Sequence, residues 1–120
     1  MSAAPTTPSG QATGFSVTLT CYNAAWCVER ALDSVFAQTR TPSEVLVTDD
    51  GSTDDTVARI RARYGDRVRL LEMPHRGLTP TRQAAIAAAA GPWVALLDAD
   101  DWWFPNKLEC QVAFLEAHPE

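Results

Sequence analysis

The sequence predicts an α/β domain: a Rossmann-like open parallel sheet flanked by helices. Two observations predict it. Short apolar runs alternate with amphipathic helical segments along the chain, with no internal repeat and no interior linker. Two of those runs, Val45-Leu46-Val47 and Trp93-Val94-Ala95-Leu96-Leu97, lead directly into acids, Asp49-Asp50 and Asp98-Ala99-Asp100-Asp101. In a doubly wound sheet all strand C-termini lie on one edge, and ligands bind there where strand order reverses. Clustered carboxylates repel one another and are costly away from water unless a cation or basic groups neutralise them. Two acid groups at strand ends therefore point to one site.

Each element follows in order. Residues 1–13, rich in Ala, Ser, Thr, Pro, Gly and Gln, are expected to form a disordered lead-in, leaving 14–120 as one domain. Phe15 to Cys21 alternates apolar and Ser/Thr residues and is the first strand. Asn23 is placed as N-cap of a helix from Ala24 to Gln38, with Val28, Leu32, Val35 and Phe36 on one stripe. Thr41-Pro42-Ser43 turns the chain into a second strand, Glu44 to Asp49, whose continuous apolar centre implies burial on both faces. Gly51-Ser52 breaks that strand, and Ser52 with Asp55 resembles a capping box opening a helix to Tyr64. Val57, Ile60 and Tyr64 are its inward stripe. Arg67 to Glu72 is a short third strand, followed by a loop from Met73 to Leu78. Thr79 and Pro80 read as N-cap and first residue of an alanine-rich helix that Gly91 closes. Pro92 to Asp98 is the fourth strand, and Pro105 opens a last helix with Leu108, Val112 and Leu115 inward.

Composition narrows the function classes. The chain has 120 residues, 46% hydrophobic and 21% charged, ordinary for a globular domain. A net charge of −5 argues against nucleic-acid binding but not against phosphate ligands carried with a divalent cation. No apolar run is long enough to span a membrane. Cys21, Cys27 and Cys110 lack metal-ligand spacing and read as reduced packing thiols, which places the protein in the cytoplasm.

The expected sheet order sets the first strand between the second and fourth, with the third outside the second. One wall of the crevice is then Thr20-Cys21-Tyr22-Asn23 and the other Asp98 to Asp101, with Asp49-Asp50 one strand away. If the chain stays extended through Asp98 and Asp100, both carboxylates leave one face, with Cα atoms roughly 6.6 Å apart. Mg2+ or Mn2+ suits such hard oxygen ligands, completed by water and diphosphate oxygens. Plainer readings stand beside this one. Acids after a strand often sit in a helix-capping loop, and Asp101 lies ahead of the last helix. Asp49-Asp50-Gly51-Ser52 serves equally as a strand-to-helix turn. Arg82 could be a solvated helix residue, and His75 reads as surface rather than catalytic. Of Trp102-Trp103, one is core and the other is free to pack on a ligand.

Taken together, the segments resemble the family 2 glycosyltransferases, a group with the GT-A fold. The resemblance rests on Tyr22-Asn23, on Ala31-Leu32-Asp33-Ser34-Val35-Phe36-Ala37-Gln38-Thr39, and on Val47-Thr48-Asp49-Asp50-Gly51-Ser52-Thr53-Asp54-Asp55-Thr56. It continues through Arg76-Gly77-Leu78 with Arg82, and ends on Leu97-Asp98-Ala99-Asp100-Asp101-Trp102 with Pro105, Lys107, Leu108 and Glu109. It implies a nucleotide-sugar site built from Thr20, Tyr22, Asn23, Asp49, Asp50, Arg82, Asp98 and Asp100. Asp98 would face the ribose and Asp100 would bind the metal on the diphosphate. The implied reaction is transfer of a sugar from a nucleoside-diphosphate sugar, by default a UDP-sugar, to an acceptor hydroxyl with inversion. The acceptor is a glycan, lipid or protein that the resemblance leaves open.

The chain departs from the family pattern in places. A proline expected near Thr20-Cys21 is missing, His75 stands where asparagine is usual, Gln83 replaces an asparagine, and Thr79-Pro80-Thr81 replaces small residues. The family's acceptor half, with its general base, follows the Asp-x-Asp helix, so no base is named in this chain. A non-enzymatic nucleotide-binding module, or a half-domain needing a partner, is the alternative. A phosphotransferase of the haloacid-dehalogenase type also uses Asp-x-Asp, but near the start of its domain. A nucleotidyltransferase would need a glycine-rich phosphate loop near the first strand, which is absent.

Overall fold

The computed structural model describes residues 14–117; the expected disordered lead-in, residues 1–13, lies outside them. Strands β1 (Phe15–Cys21), β2 (Glu44–Asp49), β3 (Arg69–Glu72) and β4 (Trp93–Asp98) alternate with helices α1 (Val28–Phe36), α2 (Thr56–Tyr64), α3 (Leu78–Ala88) and α4 (Lys107–Ala117). All neighbouring strands are parallel, in the order β3-β2-β1-β4. This is the order expected from the sequence. The chain steps from β1 to β2 to β3 and then returns to the far side of β1. Right-handed crossovers consequently place α1 and α2 on one face and α3 on the other. α1 touches α2, and α3 lies across β1 and β2.

The alternation in β1 has a physical outcome that composition alone does not reveal. Its apolar positions Phe15, Val17, Leu19 and Cys21 join Val28, Leu32, Val35, Val47 and Leu97 in the main core. Its polar positions Ser16, Thr18 and Thr20 face the other way, yet they are also buried. α3 covers them through small residues, Thr81 and Ala85. An alanine-rich helix approaches a Ser/Thr face closely, so alternation that normally marks a half-exposed strand here marks a central one. Each fully buried Leu or Val contributes about 1.5–3 kcal/mol relative to exposure.

Helix starts differ from expectation. α1 begins at Val28 with no side-chain cap, and Asn23 instead sits at φ 48° in the loop above β1. α2 begins at Thr56, so the Ser52–Asp55 capping box does not form; Asp54 Oδ1 accepts from the Thr56 amide at 3.0 Å instead. α3 begins at Leu78, behind Gly77 at φ 101°, which puts Thr79 and Pro80 inside its first turn rather than at its cap. Proline is harmless there because first-turn amides have no helical acceptor. Asn23 and Ser52, expected to cap helices, instead tie the loop after β1 to the loop after β2.

α4 is fastened to the end of α1. Buried Gln38 donates from Nε2 to the Phe104 carbonyl at 2.7 Å and accepts at Oε1 from the Leu108 amide at 2.9 Å. Trp103 is the core member of the tryptophan pair, with its amide donating to Ser34 Oγ at 3.1 Å, and Trp102 is the exposed one. No described helix is long and apolar enough to cross a membrane.

Candidate functional site

Parallel register brings the predicted residues to one sheet edge. Thr20 pairs with Thr48 on β2 and with Asp98 on β4, and Cys21 pairs with Asp49. The loops leaving β1 and β2 are then knitted together by side chains. Asp49 accepts from the Ser52 amide at 2.8 Å, from Ser52 Oγ at 2.5 Å and from Cys21 Sγ at 3.4 Å. Ser52 Oγ in turn accepts from the Asn23 amide at 2.8 Å. Asn23 Oδ1 accepts from the amides of Thr53 at 2.7 Å and Asp54 at 3.3 Å. Burial and the adjacent Asp49 carboxylate push the Cys21 thiol above its ordinary range, so it stays a neutral donor.

Asp50 organises the next loop. It is buried, accepts from the amides of Arg76 at 2.8 Å and Gly77 at 3.1 Å, and lies 3.0 Å from His75 Nδ1. Its burial alone would raise its pKa, but the Arg76 amide, the Thr81 hydroxyl and the Gly77 amide hold it below the usual carboxylate range. The depressed pKa carries a sign. The stabilisation is fully present above the unfolded-state value near 3.9 and is lost as pH falls through the folded-state value. Thermal melts are expected to hold steady down to about pH 5 and to weaken below about pH 4. Asp50→Asn should flatten that acid limb; an unchanged limb would remove Asp50 as a contributor.

The acid cluster is assembled differently from the extended arrangement the sequence implied. The strand ends at Asp98, and the chain turns through Ala99 and Asp100, closed by the Asp101 amide donating to the Asp98 carbonyl at 3.0 Å. The turn, not strand alternation, draws Asp98, Asp100 and Asp101 together, with carboxylate oxygens within 4.8 Å of one another. Asp98 carries its own counter-charge: Arg82 Nη2 lies 2.6 Å from its Oδ1. Arg82 is thus brought to the acids from α3 instead of standing as a solvated helix residue. Arg30, not foreseen from sequence, donates to the Asp100 carbonyl at 3.1 Å and steadies the turn. Burial first, and then the Asp100 charge, raise the Cys27 thiol below this turn.

Between these groups lies a two-part crevice. One cavity of about 230 Å³ is lined by Thr20, Tyr22, Asp50, His75, Leu78 and Thr81 among others. The second, about 300 Å³, runs from Thr20 and Tyr22 past Trp26 and Cys27 to Asp98 and Asp100. Both share Thr20, Cys21, Tyr22 and Leu78, so they are ends of one trough. Of the residues singled out in the sequence, Thr20, Tyr22, Asp50, Asp98 and Asp100 reach its walls. Asn23 and Asp49 stand behind it and hold the loops in place. His75 and Trp26 were missed as lining residues; the only signal for His75 was its place in a loop at the ligand edge. A larger apolar groove of about 360 Å³, between Phe15, Trp93 and Phe114, lies at the opposite end of the strands and lacks acids.

A family model described as "Glycosyl transferase family 2" matches residues 16–120. The chain belongs to this family. This glycosyltransferase chain is 39% identical over 97 residues to an uncharacterized glycosyltransferase of Nostoc sp., covering 78% of itself and 30% of that protein. Its fold is similar to S. aureus TarS 1-349 in complex with UDP, at TM-score 0.81 and 28% identity over 88% of this chain and 33% of that one. It is also similar to the mannosyltransferase PcManGT of Pyrobaculum calidifontis in complex with GDP-Man and Mn2+, at TM-score 0.66 and 31% identity, covering 74% of this chain and 28% of that one. The glycosyltransferase chain spans 11–40% of the length of such curated relatives. Its four-stranded parallel sheet with flanking helices is the GT-A, Rossmann-like arrangement of these neighbours.

Proposed function

We propose that this chain forms the donor-binding portion of an inverting, metal-dependent glycosyltransferase that takes a UDP-sugar and glycosylates an acceptor hydroxyl. The observation that carries the reading is the single trough joining an aromatic end at Tyr22 and His75 to an acidic end at Asp98 and Asp100. A nucleoside-diphosphate sugar has that polarity: a flat base at one end and a diphosphate needing a cation at the other. Uridine is the default base that the family resemblance implies, and a neighbour of this fold is described in complex with UDP. Inversion rests on the family resemblance.

Within this reading Thr20, Tyr22 and Asp50 border the base, and Asn23 and Asp49 keep their loops in register. Asp98, neutralised by Arg82, faces the ribose. Asp100 is the metal ligand, with Asp101 beside it in the turn. Three carboxylates within 4.8 Å offer a hard oxygen donor set suited to Mg2+ or Mn2+. When bound, such a cation offsets the negative charge that develops on the departing nucleoside diphosphate. A general base must reach the acceptor hydroxyl directly or through one water, and no residue of this chain is assigned that role. The free thiols Cys21, Cys27 and Cys110 support a cytoplasmic location.

The test is nucleotide binding by calorimetry with and without Mn2+. UDP is expected to bind wild-type protein at least tenfold more tightly with Mn2+, equivalent to about 1.4 kcal/mol. Asp100→Ala should abolish that gain while leaving metal-free UDP binding in place. Equal Mn2+ enhancement in Asp100→Ala would overturn the metal assignment, and preference for GDP would move the donor to a guanosine sugar.

A further inference from the structure

We infer that His75 reads the nucleobase, a role that rests on the donor-binding proposal and goes beyond it. Three observations meet on this side chain. Its ring stacks on Tyr22, centroids 4.3 Å apart and planes 26° from parallel. Its Nδ1 lies 3.0 Å from Asp50 Oδ2 and 3.1 Å from the Asp50 carbonyl oxygen. The stacked pair borders the 230 Å³ end of the trough.

The Asp50 contacts decide the tautomer. Both oxygens facing Nδ1 only accept, so in the neutral ring the proton sits on Nδ1 and Nε2 keeps its lone pair. A His held in this way offers a single acceptor in the plane of its ring. Stacking on Tyr22 covers one ring face and fixes the imidazole plane, so Nε2 is presented in that plane to the edge of a base in the trough. The Nε2 lone pair favours a base whose pairing edge carries a ring N–H, as uracil does. Cytosine presents a ring nitrogen lone pair at that position and is disfavoured. His75 is thus a specificity-determining residue, and Asp50 the positioning residue that sets its tautomer. The backbone supports this placement: a Cβ at Gly51 would lie 2.7 Å from the His75 backbone nitrogen, so the loop bearing the ring rests directly on the loop after β2.

The experiment compares UDP and CDP binding, with Mn2+, across wild type, His75→Ala and His75→Phe, using pyrophosphate with Mn2+ as a probe of the acidic end. Wild type is expected to favour UDP over CDP at least tenfold. His75→Phe keeps a stacking face and loses the acceptor, so it should retain UDP binding within about tenfold while its UDP-to-CDP ratio falls towards one. His75→Ala should weaken both nucleotides, and pyrophosphate binding should be equal in all three proteins. A UDP-to-CDP ratio unchanged in His75→Phe, or UDP affinity unchanged in His75→Ala, would overturn the assignment while leaving donor binding intact. Parallel loss of pyrophosphate binding would overturn it too, since the effect would not be confined to the base. Failure of wild type to bind any nucleoside diphosphate would overturn the donor-binding proposal, and this inference with it.

Discussion

Asp49→Ala is expected to destabilise the domain by about 3–5 kcal/mol, the cost of leaving its buried donors without an acceptor. The carboxylate is 2% exposed and receives the Ser52 amide, the Ser52 hydroxyl and the Cys21 thiol. A hydroxyl can rotate to another partner, but the Ser52 amide cannot move without the loop. Hydrogen bonds to charged groups contribute about 1.5–3 kcal/mol each, so two compromised bonds account for the figure. Since whole domains hold only about 5–15 kcal/mol, the variant should melt far earlier. Asp49→Asn keeps the volume and one acceptor but turns an NH2 towards donors, so an intermediate loss is expected. Urea unfolding checks both, and a loss below about 1 kcal/mol for Asp49→Ala would show that the loop reorganises freely. Donor affinity should fall as well, because Ser52 Oγ holds the Asn23 amide beside Tyr22.

Gly51→Ala is the second large effect. Gly51 has φ +73°, where an L-residue with a Cβ is strained by about 1–3 kcal/mol. The new Cβ would also sit 2.7 Å from the His75 nitrogen and 3.1 Å from the His75 Cα. Backbone atoms cannot rotate aside as a flexible side chain can, so the β3–α3 loop must shift. Destabilisation of about 2–4 kcal/mol is expected, together with weakened UDP binding as the Asp50–His75–Tyr22 arrangement opens. Gly65→Ala separates the two causes. Gly65 has φ +52° but nothing within 4 Å of a new Cβ, and it lies away from the trough. That variant should lose stability while binding UDP like wild type. Wild-type UDP affinity in Gly51→Ala would argue that the loop contact has no bearing on the site.

Much of the architecture was legible in residue pattern. The apolar runs at Val45-Leu46-Val47 and Trp93 to Leu97 became β2 and β4, and the strand order is the one expected of a doubly wound sheet. The helix stripes were also legible: Val28, Leu32 and Val35 are fully buried, as are Leu108 and nearly so Ile60 and Val112. Helix starts were not. Asn23 and Ser52 both have the chemistry of an N-cap, and a hydroxyl or amide bonds equally well to a neighbouring loop. The choice between them depends on which backbone amide lies within about 3 Å, and that is known only once β1 and β2 are paired.

The site shows the same division. The sequence alone determined that acids follow β2 and β4, because strand periodicity and the position of the carboxylates are both local properties. Only the tertiary structure decided what each acid does. Asp49 and Asp50 are adjacent in sequence, yet one points into the β1–β2 loops and the other into the loop carrying His75. Asp98, Asp100 and Asp101 meet through a turn that strand alternation did not foretell, and Arg82 reaches Asp98 from a helix on the opposite face from α1. Side-chain type is written in the chain, but hydrogen bonding and charge pairing act over about 3 Å, and the neighbours within that range come from sheet register and helix crossover.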